Sequence, residues 1–294
     1  MFYRRKVILS FLQKFNNELN KIKLQKLLFL FTQEQTEKVY DFIPYKYGAY
    51  SCSASADMSA MSQKGILIDK QKSFFLNDAT DYFATLKPED QQSLQKIKSA
   101  FGKMSNNDLM RYTYNNYPYW AINSTTAQNL LSQAKYELVM QNKPKSAKTI
   151  LFTIGYEGIS LEEYLNRLIQ NDVKILVDVR CNPLSMKFGF NKSQLQRYCK
   201  ILDIEYAHFP EVGIQSGDRK CLCEQKDYDN LFIAYRKNNL TKTLKTQLAI
   251  LDLLKQRKRI ALTCFEANIN QCHRKHLAEA ISHLPNFNYQ LKHI

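Results

Sequence analysis

The sequence predicts an α/β fold in its second half, preceded by a smaller, mainly helical domain. Three observations carry this expectation. Short runs that are apolar throughout, at residues 149–154, 174–180 and 259–265, alternate with amphipathic stretches, the pattern of parallel strands covered on both faces by helices. The segment Lys143-Pro-Lys-Ser-Ala-Lys is charged, contains proline and has no apolar periodicity, so it reads as a connector. A chain of 294 residues also exceeds the roughly 100–200 residues usual for one domain. Together they divide the chain into a domain at 1–142, a linker at 143–148 and an α/β domain at 149–294, Rossmann-like in the broad sense.

In the first domain Phe11, Leu12, Phe15 and Leu19 recur at helical spacing, and the apolar residues of 22–31 form a second stripe flanked by Lys21, Lys23 and Lys26. Pro44 and Gly48 interrupt any helix across residues 40–50. Residues 52–64 are helix-like, with Gly65 at the position of a C-terminal cap; two short strands follow, Gly65-Ile-Leu-Ile-Asp and Ser73-Phe-Phe-Leu. Helices followed by a hairpin fit a winged-helix-like domain, among other arrangements. Residues 93–140 continue as helix, broken at Asn115-Asn-Tyr-Pro. Arg111, Tyr112, Tyr114, Tyr117, Tyr119 and Trp120 offer either stacking surface for bases or a packed aromatic core. The KLQKLLFLF run at 23–31, with Tyr45, Tyr47 and Gly48 downstream, resembles the start of Panacea-type antitoxin domains.

In the second domain, residues 149–154 form a strand ending in Gly155, and 161–171 a helix capped by Ser160. The strand at 174–180, a helix at 193–202, a short strand at 205–209, a largely helical stretch at 228–256, the strand at 259–265 and a helix at 272–284 complete the order. Gly155-Tyr-Glu-Gly lacks the spacing of a dinucleotide fingerprint, and no cofactor is expected.

Formal charge is +15, with 21 basic against 12 acidic residues up to Lys148 and 21 against 15 after it. A basic excess in both halves points to a polyanion: nucleic acid, DNA ahead of RNA, or a nucleotide. No apolar run approaches the ~20 residues that span a bilayer, so no membrane partner is expected. The basic start is followed by no small-residue cleavage site, so no secretory leader is expected. Seven cysteines without scaffold spacing read as reduced thiols in a cytoplasmic protein. A homo-oligomer stays open.

Ligands of an open α/β sheet sit beyond the carboxyl ends of its strands. Three strand ends here are polar: Tyr156 and Glu157; Asp178 and Arg180, followed by Asn182-Pro-Leu-Ser; and Cys264 and Glu266, followed by Cys272, His273 and Arg274 at a helix start. Glycines 155 and 158 would let backbone approach a ligand. The candidates for chemistry are Glu266, Glu157, Asp178 and Cys272. Those for holding substrate are Tyr156, Arg180, Ser185, His208, Arg219, His273 and Arg274, with the two strand-end arginines able to grip phosphate from two N–H groups each. Equally, Glu266 can serve as the ion-pair partner of Arg180 or Arg274, and Cys264 as a small core residue. Cys221, Cys223, Cys272, His273 and His276 lack the spacing of a paired zinc motif, and no metal is expected.

At these residues the chain resembles the family catalogued as domain of unknown function 488 (DUF488). The likeness runs from about Thr149 to Leu284 and is carried by Thr153-Ile-Gly-Tyr-Glu-Gly, Asp178-Val-Arg with Pro183 and Ser185, Tyr206-Ala-His-Phe-Pro-Glu-Val-Gly, and Cys264-Phe-Glu before Cys272-His-Arg. The resemblance implies a Rossmann-like fold, a pocket containing Tyr156, Glu157, Asp178, Arg180, Glu266, Cys272, His273 and Arg274, and a setting in nucleic-acid-related, stress or genome-defence systems. The Cys221 and Cys223 pair departs from the family pattern. Asp178-Val-Arg is also similar to rhodaneses, but neither Cys264 nor Cys272 is followed by arginine at the Cys-x5-Arg distance. The leading expectation is a hydrolytic or N-glycosidic enzyme acting on nucleic acid or nucleotide. The alternatives are a DNA-binding sensor of a nucleotide or modified base, and a thiol-dependent transferase.

Overall fold

The structure is a computed structural model that describes every residue except 216, 218–221 and 223. The chain divides into two compact units, Met1–Lys143 and Pro144–Ile294.

The N-terminal unit is mainly helical. Its first elements are α1 (Tyr3–Lys14), β1 (Glu18–Asn20), α2 (Lys21–Glu34), the hairpin β2 (Ile43–Tyr45) and β3 (Gly48–Tyr50), α3 (Cys52–Gln63), β4 (Leu67–Asp69) and β5 (Ser73–Leu76). The strands β1, β5 and β4 form an antiparallel sheet in that order, which with α1, α2 and α3 is the element order of a winged helix. Helices α4 (Pro88–Phe101), α5 (Asn106–Asn116), α6 (Ala127–Leu130) and α7 (Gln133–Gln141) complete it. Asn20 and Ser51 cap α2 and α3 by accepting from backbone N–H groups one turn in. The apolar stripes of α1 and α2 meet in one core, where Phe11 packs edge-on to Phe31. Asp57 ties α1 to α3: its carboxylate accepts from Arg4 Nε at 2.6 Å, Arg5 Nε at 2.7 Å and Tyr40 Oη at 3.0 Å. The hairpin β2–β3 lies where the sequence reads only as turns. Gly48 makes it fit, since its φ is +87° and a Cβ there would lie 2.5 Å from Tyr114 Cε1. Of the aromatic residues at 112–120, Tyr114 is buried, while half-exposed Tyr117 and Trp120 pack edge-on to Phe29, and Tyr112 against Phe101.

The C-terminal unit is a five-stranded sheet with every pairing parallel. Its elements are β6 (Ile150–Gly155), α8 (Leu161–Gln170), β7 (Ile175–Asp178), α9 (Lys192–Ile201), β8 (Glu205–His208), α10 (Gln225–Tyr235), α11 (Leu244–Arg257), β9 (Arg259–Cys264), α12 (His273–Ser282) and β10 (Gln290–His293). The strand order is β10-β6-β9-β7-β8. The three central strands are buried along their whole length, as expected of sequences apolar throughout. Leu151, Ile175, Val177, Ile260 and Leu262 face Ile250 and Leu254 of α11 and Leu277 and Ile281 of α12. On α8, Tyr164 Oη donates to Thr263 Oγ1 at 2.8 Å, and Ser160 caps that helix, accepting from Glu163 N. The stretch expected to run helical over 228–256 is two helices separated by a π-helical turn at Arg236–Leu240. The strand β10 was not expected; its partly exposed sequence gives a weaker signal than the buried runs. Among the described residues no helix is long and apolar enough to cross a membrane.

Lys26, on α2, is buried and donates to Ala49 O at 2.7 Å. Burial drives its pKa from 10.5 down to about 7. Above 10.5 the side chain is neutral in both the folded and the unfolded chain; below about 7 it is charged in both, and the folded unit then bears a desolvated ammonium. The N-terminal unit should therefore gain roughly 3–5 kcal/mol as pH rises from about 7 to 10.5, and lose it on the way down. Urea titrations of the full chain followed by Trp120, the single tryptophan, should show this slope flattened in Lys26→Met. Parallel profiles for the two proteins would refute it.

Candidate functional site

The carboxyl ends of β6, β7 and β9 bring most of the expected residues into two hydrogen-bonded groups. The first is built on Asp178 and Arg180. Arg180 directs Nε and Nη2 to the two Asp178 oxygens at 2.9 and 2.5 Å, and its Nη1 donates to Tyr156 Oη at 2.8 Å and Phe190 O at 2.9 Å. Asp178 accepts further from Arg180 N and, at 2.7 Å, from Tyr206 Oη. Burial opposes the charge on Arg180, yet the carboxylate outweighs it and holds the guanidinium pKa above its ordinary value. Burial, reinforced by the Asp178 carboxylate, likewise raises the Tyr206 phenol. Tyr156 stacks on Phe190 with ring centroids 4.2 Å apart. His208 bridges Arg180 O at 2.9 Å and Lys192 Nζ at 3.0 Å. A carbonyl only accepts, so Nε2 of His208 carries the ring proton and Nδ1 accepts from the lysine.

The second group surrounds Cys264. Its Sγ donates to Glu266 Oε2 at 3.1 Å and lies 3.6 Å from His273 Nδ1, while His273 Nε2 meets Val179 O at 3.1 Å. Arg274 donates to the carbonyls of Glu266 and Ala267. Glu157 Oε2 accepts from Ala267 N at 2.9 Å, and Tyr156 N and Glu157 N both donate to Phe265 O, so the loops after β6 and β9 are stitched together.

This geometry corrects several expectations. Arg180 is 5 % exposed and Arg274 2 %, and the Nη groups of both point to protein acceptors; neither is presented as an anion clamp. Asp178 is fully buried and holds Arg180 and Tyr206, a structural task. Tyr156 is buried, with its hydroxyl accepting from Arg180, and His273 is buried beneath Val179. Ser185 Oγ accepts from Lys187 N, and its own N–H donates to Asn191 Oδ1, so it shapes the loop. Cys272 is fully buried, and burial, aided by its hydrogen bond to Cys264, pushes its thiol pKa well above the ordinary value, opposite to what a nucleophile needs. His276 packs on Phe232 and pairs with Arg236 and Glu279 instead of joining Cys272 and His273. Arg219, Cys221 and Cys223 lie outside the described residues. Among the described residues, the expected site residues left at the surface of the strand ends are Glu157, exposed, and Glu266 and His208, half-exposed.

The sequence reading missed Phe190, Tyr206 and Lys187, whose Nζ donates to Tyr156 O at 2.6 Å. Tyr206 stood in a quoted motif but had no role attached. Phe190 could not be found, because it acts through its ring face and backbone carbonyl. Lys187 is half-exposed, and Leu184, Met186 and Phe188 of the same loop between β7 and α9 are exposed, as is Phe265, the neighbour of Glu266 in the chain.

Gly155 has a different purpose from the one expected. A Cβ at this position would sit 2.0 Å from Glu266 O, so the missing side chain admits the β9 loop instead of a ligand. Gly155→Ala should cost about 1–3 kcal/mol or more and speed hydrogen exchange at the amides of Tyr156 and Glu157, with chemical denaturation and exchange mass spectrometry as readouts. Unchanged protection at both amides would show that the loops tolerate separation.

No curated protein matches the chain. The family model that matches does so over residues 160–281, inside the C-terminal unit and just past the Thr153-Ile-Gly-Tyr-Glu-Gly segment, and it is that of "Domain of unknown function DUF488".

Proposed function

We propose that the C-terminal unit is a hydrolytic or N-glycosidic enzyme acting on nucleic acid or a nucleotide, with Glu266 as the acid/base group and Glu157 as its partner carboxylate. The observation that carries this reading is the placement of these two carboxylates. Glu266 and Glu157 are tied to one loop, through Ala267 N, at the strand ends, where an α/β sheet binds its ligands. They remain at the surface while Asp178, Arg180 and Arg274 are consumed inside. Cleavage of a glycosidic or phosphate bond needs a group to move a proton and a second to orient water or offset charge, and paired carboxylates do both. Exposed Phe265, next to Glu266, offers an apolar face to a base, and Lys187, which reaches Tyr156 O, a cation to a phosphate, in a chain of net charge +15. Arg180 and Arg274 act by holding the strand ends in place.

The winged-helix order of the N-terminal unit supports a second reading, in which this chain binds DNA and senses a nucleotide without turnover. The two separate on one comparison. Labelled DNA, RNA and nucleotides incubated with wild type should yield products, and Glu266→Gln should lower that rate about 10²–10⁴-fold while salt-sensitive binding persists. Full activity in Glu266→Gln would eliminate the enzymatic assignment of Glu266, and salt-sensitive binding without products from wild type would favour the sensor.

A further inference from the structure

Beneath the Glu266 carboxylate lie three ligand-type atoms whose arrangement no reaction step above uses. Cys264 ends β9, Cys272 immediately precedes α12 and His273 opens it; all three are buried. The two sulfurs and a ring nitrogen of the histidine lie within 4.8 Å of one another. The nitrogen turned toward Cys264 is Nδ1, at 3.6 Å, because Nε2 is held by Val179 O at 3.1 Å. Since that carbonyl can only accept, the ring proton of the neutral imidazole sits on Nε2 and its lone pair on Nδ1, directed at the sulfur. Metal-bound imidazoles are supported in this way, with the second ring N–H donated to a carbonyl or carboxylate.

The spacing fits an ion. With metal–sulfur bonds of about 2.3 Å and metal–nitrogen bonds of about 2.0–2.1 Å, a tetrahedral site has sulfur–nitrogen edges of about 3.6 Å, the separation found between Cys264 and His273. Glu266 Oε2, at 3.1 Å from Cys264 Sγ, sets an oxygen from a half-exposed side chain at the edge of the cluster and so marks a route from solvent. Two thiols and an imidazole packed only for volume would exchange weak hydrogen bonds in a dry interior. A divalent ion instead takes both as thiolates, releasing their two protons, and overrides the burial that keeps Cys272 protonated.

We propose that Cys264, Cys272 and His273 bind a thiophilic divalent cation of the zinc class, with a water in the fourth position and Glu266 beside it. Sulfur and imidazole donors in tetrahedral array select zinc over magnesium or calcium. Glu266, at the edge of the cluster, is then not consumed as a ligand, so the site is compatible with the proposed reaction without resting on it.

The test uses the reduced full-length protein, treated with chelator and titrated with Co²⁺. Wild type should take up one equivalent per chain, with thiolate-to-cobalt charge-transfer bands and the intense visible bands of a tetrahedral ion, and Zn²⁺ should displace it. The bands should vanish in the Cys264→Ser, Cys272→Ser double variant and persist in Cys181→Ser. Glu266→Gln should retain the thiolate bands while binding about tenfold more weakly, by analogy with the loss on removing an outer supporting group. Should the double variant fail to fold, X-ray absorption of the zinc-loaded wild type decides: a shell of two sulfurs and two nitrogen or oxygen atoms supports the site, and any other sulfur count overturns it. Wild type that shows no charge-transfer band with excess Co²⁺, or bands that survive in a folded double variant, also overturns it. None of these readouts needs a substrate, so failure of the hydrolase reading leaves them intact.

Discussion

The buried ion pair of Asp178 and Arg180 is the constraint on which the C-terminal unit is organised. Withdrawing two charges from water costs several kcal/mol per ion, and their attraction offsets this only when the remaining donors and acceptors are also satisfied. Here Tyr156 and Phe190 receive the guanidinium, Tyr206 donates to the carboxylate, and the pair thereby joins the end of β6, the loop before α9 and strand β8 around the end of β7. Removing either charge would strand its partner in a dry environment and free three elements together.

This arrangement explains why polar strand ends do not translate directly into a polar cleft. The residues closest to the sheet are spent on holding the loops, and the carboxylates that reach the surface, Glu157 and Glu266, lie one layer outward. The Cys264, Cys272 and His273 cluster lies between these layers: buried like the ion pair, yet in contact with a carboxylate that reaches the surface. Gly155 links the two, because the approach of β6 to the carbonyl of Glu266 sets where that carboxylate emerges.

The N-terminal unit solves its packing by different means. Its core is built largely from aromatic and aliphatic side chains, many of them on α1 and α2, and among its buried polar residues Asp57 lies between two arginines and Lys26 against a backbone carbonyl. Asp57 carries paired charge, whereas Lys26 has only a neutral acceptor, which is why burial lowers its pKa so far. Tyr117 and Trp120 pack half-exposed against Phe29, and Tyr112 against Phe101, at the edge of this core.

By itself the sequence determined the local elements. Apolar periodicity marked α1, α2, α8 and the buried strands, Ser160 marked a helix start, and Pro44 and Gly48 marked a break, because each of these signals acts within a few residues. It also determined which strand ends are polar. Only the tertiary structure decided what those polar groups touch. Whether Arg180 meets substrate or Asp178, whether Cys272 belongs with His276 or with Cys264, and whether Gly155 admits a ligand or the Glu266 carbonyl all depend on burial and on partners from other strands. The same holds for β10, whose partly exposed residues become a strand by pairing with β6. Spacing along the chain does not encode such pairings, since desolvation makes each buried donor and acceptor choose its partner from whatever the fold brings near.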